Sequence, residues 1–128
     1  MRKGGRRALL QRALWEMVRF DLMYRLGGLA RVRRAMSGGR ARIGALQPDA
    51  ASVCRAVECM CSFYWKPLLC LQRAVVTARV LRATGIQADV VIGYRASPFL
   101  SHAWVEMGGR VLNDPPAYQH KLQIIDRF

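Results

Sequence analysis

The sequence predicts an α+β fold in which helices come first and a small antiparallel sheet follows. Three observations carry this. Apolar residues recur at helical spacing as far as residue 81, and from residue 88 the pattern changes to short β-rich runs. Gly108-Gly109 then separates two of those runs, as a two-residue hairpin turn does. A chain of 128 residues suits a single domain. It is long enough to bury roughly two-thirds of the surface it exposes when unfolded.

Residues 8–26 read as the first helix, with Leu10, Leu14, Met17, Val18, Phe20 and Leu22 as its apolar face. Gly27-Gly28 is expected to break it. A short basic segment, Leu29 to Met36, follows and ends at Ser37-Gly38-Gly39. Pro48-Asp49 marks the start of a second helix, with Asp49 near its positive end and Val53, Val57, Met60 and Cys61 facing inward. Pro67 suits the first turn of a third helix, where a missing N–H costs nothing. Leu71, Val75, Ala78 and Leu81 form one face of it, and Gly85 is a fitting residue to end it. Strands are expected over 88–94, 102–107 and 110–113, with Pro115-Pro116 closing the last and Leu122 to Ile125 as an edge strand. Residues 1–47 form a basic helical extension and 48–128 the core that carries the chemistry.

The formal net charge is +13. Residues 1–42 hold twelve Arg and Lys against Glu16 and Asp21, while residues 43–128 hold nine against six acids. A face this basic can meet nucleic acid, anionic lipid or an acidic protein, and composition does not choose among them. The apolar fraction of 52% argues against disorder. No apolar run reaches the ~18 residues that span a bilayer, and no secretory h-region follows the basic start. The expected setting is the cytoplasm, with the four cysteines as free thiols. Cys54, Cys59 and Cys61 match no common zinc or iron–sulfur spacing, so they read as structural, and neither a metal nor another cofactor is expected.

Cys70, His102 and Asp114 are the candidate catalytic residues. Cys70 falls in the first turn of the third helix, where unpaired N–H groups and the dipole favour an anionic sulfur. Its own amide is placed to donate to an attacked carbonyl oxygen. His102 opens a strand, whereas the other histidine, His120, lies in a tail without periodic context. Pairing about the Gly108-Gly109 turn sets 107 opposite 110 and so 103 opposite 114. Asp114 then neighbours His102 and can orient its ring; a one-residue slip would separate them. Each residue also has a bland reading. A lone cysteine is often a small buried hydrophobe, a strand histidine is often structural, and Asp before Pro is a common turn former. Trp104 and Tyr64-Trp65 read as core aromatics before groove walls. Arg73 reads as a solvated or structurally paired residue before a substrate contact.

The blocks Cys70-Leu71-Gln72-Arg73-Ala74, Gly85-Ile86, Gly93, His102-Ala103-Trp104-Val105-Glu106 and Gly109-Arg110-Val111-Leu112-Asn113-Asp114 resemble the leader peptidase of lasso-peptide biosynthesis. That family belongs to the transglutaminase-like cysteine protease superfamily. The resemblance runs from about Asp49 to Phe128. It implies a papain-like core, with the cysteine at a helix N-terminus packed on the sheet. It also implies hydrolysis of the leader–core amide bond of a ribosomally made precursor. The family's nucleophile, base and orienting acid fall on Cys70, His102 and Asp114. The chain resembles the split form, in which a separate winged-helix protein recognises the leader. The implied partners are that protein, the precursor peptide and an ATP-dependent macrolactam cyclase, with neither membrane nor nucleic acid among them. Two other readings compete. One is acyl transfer to an amine by the same triad, as in transglutaminases. The other is a basic, non-catalytic module that binds nucleic acid or an acidic partner.

Overall fold

A computed structural model describes residues 3–37, 50–64, 69–97, 99–112 and 122–128. These form three helices, α1 (Lys3–Ser37), α2 (Ala50–Phe63) and α3 (Cys70–Ala83), and four strands, β1 (Asp89–Ala96), β2 (Phe99–Met107), β3 (Arg110–Leu112) and β4 (Gln123–Arg127). The sheet is antiparallel in the order β3-β2-β1-β4. The helices pack against one another, and α3 packs on β1 and β2. The predicted α+β class and its order of elements are what the chain adopts.

The first helix departs from expectation in two ways. It does not end at Gly27-Gly28 but resumes after a kink, where Gly28 takes φ 62° and ψ −156°. Only a residue without a Cβ adopts that backbone cheaply. The turn re-aims the second half so that Val32 and Met36 reach the core. The expected apolar face is also only half right. Met17 and Phe20 are buried, joined by Leu9 and Ala13, whereas Leu14, Val18 and Leu22 are exposed. Apolar residues ring this helix on two sides, and α2 and α3 cover one of them.

The same core takes Val53 and Val57 from α2 and Val75, Ala78 and Leu81 from α3, as their spacing requires. Ala88, Val90, Ala103 and Val105 meet them from the sheet. Because strand side chains alternate between faces, Val91 and Trp104 point the other way, into a small cluster with Leu122.

Two acids of α1 also turn inward. Glu16, 1% exposed, is paired with Arg79 of α3. Asp21 accepts from Tyr64 Oη and from Gln72 Nε2, the latter at 3.1 Å. At the far end of α3, Arg82 is buried. Its Nε donates to the Ala88 carbonyl at 2.9 Å and its Nη1 to that of Met36 at 3.0 Å. These polar ties cross between layers where apolar packing alone would leave the helices free to slide.

Candidate active site

Cys70 is the first residue of α3, and it is exposed. Leu69 precedes it in extended conformation, with φ −69° and ψ 151°, and supplies no side-chain cap. The start of the helix is held from inside instead. Gln72, 1% exposed, donates to the Met17 carbonyl at 3.1 Å as well as to Asp21. Arg73 Nη1 lies 3.3 Å from Glu58 Oε1 of α2, so this arginine pairs with a structural acid. Gln72 and Arg73 thereby tie the turn that carries Cys70 to both other helices. Pro67 and Trp65 lie outside the described residues.

A small cleft opens beside the thiol. It is lined by Cys70, Arg73, Ala74 and Thr77 of α3, by Ala103, Trp104 and Val105 of β2, and by Leu112 of β3. The nucleophile candidate therefore faces the stretch of β2 that follows His102. His102 itself does not line this cleft. Its ring stacks on Trp104, with centroids 6.2 Å apart and planes 18° from parallel. It lies on the sheet face opposite Ala103 and Val105.

Trp104 is fixed on three sides. Its Nε1 donates to Glu106 Oε2 at 2.8 Å, and Glu106, 4% exposed, also accepts from Arg127 Nη1 at 2.9 Å. The far edge of its indole lies over Gly93, the residue paired with His102 on β1. A Cβ at Gly93 would stand 2.7 Å from Trp104 Cη2 and 2.9 Å from Leu122 Cβ. The chain thus needs glycine here because the tryptophan occupies the space. Gln72, Glu106 and Gly93 escaped the sequence reading as parts of the site. A buried acid two residues from a strand tryptophan shares its face, and that signal was available.

The hairpin register reads as expected. Met107 pairs with Arg110, Glu106 with Val111 and Val105 with Leu112. Asp114 and His120 lie outside the described residues. Among the other thiols, Cys54 is buried and Cys59 and Cys61 are half-buried. Burial, reinforced by the Glu58 carboxylate, pushes the Cys61 thiol up to about 11, which keeps it protonated at neutral pH. Among the described residues no group of three His, Cys, Asp or Glu is placed to hold a metal ion, and no helix is long and apolar enough to cross a membrane.

Residues 14–127 match the transglutaminase-like superfamily. The chain is similar to the microcin J25-processing protein McjB of Escherichia coli, with 46% identity over 56 residues. That stretch is 44% of this chain and 27% of McjB, so the match spans about a quarter of the relative's length. No solved structure matches. With nearly the whole chain inside the match, and helices packed on an antiparallel sheet, the protein belongs to the transglutaminase-like superfamily.

Proposed function

We propose that this protein is a cysteine peptidase that removes the leader from a ribosomally made lasso-peptide precursor. Cys70 is the nucleophile, His102 the base and Asp114 the orienting acid. The observation that carries the reading is an exposed cysteine at a helix N-terminus, set in a cleft against the strand that bears His102. Membership of the superfamily and the similarity to a microcin-processing protein support it.

In this reading the Cys70 sulfur attacks the carbonyl carbon of the leader–core amide bond, and its proton goes to His102, whose ring must turn from the Trp104 face of β2 to the cleft side to receive it. The oxyanion takes the first-turn N–H groups of α3, which have no intrahelical acceptor. His102 returns the proton to the departing amine of the core peptide. Water, deprotonated by the same imidazole, then splits the thioester and frees the leader's carboxylate. The precursor, a winged-helix leader-recognition protein and an ATP-dependent macrolactam cyclase are the proposed partners.

The test is mass spectrometry of the products after incubation with precursor and leader-recognition protein. Two fragments that sum to the precursor plus one water are expected, with none from Cys70→Ala. Intact cleavage by that variant overturns the nucleophile. A leader joined to an added amine identifies acyl transfer instead. His102→Ala is expected to slow alkylation of Cys70 by iodoacetamide, and an unchanged rate removes His102 as its base.

A further inference from the structure

The outer side of α1 combines two features that a merely solvated helix does not need. Trp15, Val18, Leu22 and Leu26 recur at three- and four-residue steps, so they form one stripe. That stripe lies away from the buried Ala13, Met17 and Phe20. Trp15 is 59% exposed, Leu22 57% and Leu26 72%, and Leu29 is exposed beyond the kink. From Trp15 to Leu26, before the kink, the apolar strip runs about 17 Å at the helical rise. Beside it, where Gly28 bends the helix, lies a groove of about 580 Å³. Arg19, Arg31 and Arg34 wall it, and Met23, Gly27, Ala30 and Ala35 complete the lining.

The charge on this side has one sign. The two acids of α1 are Glu16 and Asp21. Both face the other helices, paired with Arg79 and hydrogen-bonded to Tyr64 and Gln72. None of the residues lining the groove is acidic.

We propose that this face docks an acidic, amphipathic segment of another protein. Its apolar side chains cover Trp15, Leu22 and Leu26, and its carboxylates enter the arginine-walled groove. The surface itself selects this occupant. A flat bilayer covers the ridge but leaves the groove unfilled. Nucleic acid neutralises the arginines but gives the leucines nothing apolar to meet. A second copy of the same face brings arginine against arginine. A segment that offers carboxylates and apolar side chains together answers both features at once. The inference goes beyond the peptidase reading, because the surface serves its purpose whatever Cys70 does.

The probe is a fluorescein-labelled helical peptide of about 14 residues, long enough to span the strip. It carries leucine on one face and glutamate elsewhere. Its control has lysine for every glutamate. Binding to the full chain is read by fluorescence anisotropy. The acidic peptide is expected to bind and the lysine control not to. Leu22→Ser with Leu26→Ser is expected to weaken binding roughly tenfold or more, since burial of two leucines is lost. Arg19→Ala with Arg31→Ala is expected to weaken it about threefold to tenfold, and more steeply at low salt. Exposed arginines elsewhere serve as the charge control, as the pair Arg55→Ala and Arg110→Ala, with an expected change under about twofold. Both serine positions are exposed, so the melting temperature and Cys70 alkylation should stay unchanged. An equal loss from the control arginines reduces the effect to net charge and overturns the proposal, as does failure of the acidic peptide to bind. Tighter binding of phosphatidylglycerol vesicles or polyuridylate, lost in the same variants, overturns it in favour of lipid or nucleic acid.

Discussion

Gly93→Ala is the substitution whose consequence the structure defines most sharply. Gly93 pairs with His102 across β1 and β2, and the Trp104 indole lies over it. The added methyl would sit 2.7 Å from Trp104 Cη2, 2.9 Å from Cζ3 and 2.9 Å from Leu122 Cβ. A methyl carbon needs about 3.5–4.0 Å from such atoms, so the ring must move by roughly 1 Å. That movement strains the 2.8 Å bond from Trp104 Nε1 to the buried Glu106. Overpacking of this kind costs about 1–3 kcal/mol. The strained bond to a buried acid puts the expected loss near the top of that range. For a domain of this size that is a fall in Tm of the order of 10 °C. Thermal or urea unfolding measures it. Trp104→Phe removes the outer edge of the ring. In that background Gly93→Ala should cost at least about 1 kcal/mol less, a coupling that a double-mutant cycle isolates. The His102 ring protons should also shift in NMR spectra of Gly93→Ala, because the imidazole stacks on the displaced indole. Equal cost in both backgrounds, with no change at His102, would refute the reasoning.

Three further predictions rest on other contacts. Cys70 is exposed and should be the first thiol alkylated at pH 8. Cys61, raised from 9.0 to about 11, should hold roughly a hundredfold less thiolate than an unshifted thiol, as mass spectrometry of partly modified protein will show. Because the folded state holds that proton more tightly than the unfolded one, the stability from Cys61 is whole below pH 9. It declines as pH rises from 9 towards 11, which urea titrations against pH will follow. Finally, Arg79→Met leaves the Glu16 side chain, 0% exposed, with Arg12 of its own helix at 3.2 Å but without its α3 partner, and should cost about 3 kcal/mol, the low end for breaking a buried pair. Adding Glu16→Met should recover most of that loss in the same unfolding assay, and no recovery would mean that the pair is not what holds α1 to α3.

The sequence by itself determined the parts whose causes are local. Helical spacing identified α2 and α3 and their inner faces, because side chains three and four apart share a side whatever lies opposite. Gly108-Gly109 set the hairpin, and the hairpin set the pairing of 107 with 110, because a two-residue turn admits one register. Cys70 lies in the first turn of α3 as expected, but the helix opens at Cys70 itself after an extended Leu69, later than a first turn at Pro67 implies. What the tertiary structure decided was which of several locally acceptable surfaces would be covered. The first helix is apolar on two sides, and only packing against α2 and α3 shows that Ala13, Met17 and Phe20 are inside while Leu22 and Leu26 are out. The helix continues past Gly28 because Val32 and Met36 gain a core there, which no local propensity records. Gln72 reaching Asp21, and Glu16 meeting Arg79, join residues far apart in the chain, so no sequence window contains both ends. The same holds for Trp104 over Gly93: alternation shows that Trp104 shares a face with His102 and Glu106, but only the paired strand shows that the space beneath its ring must be empty.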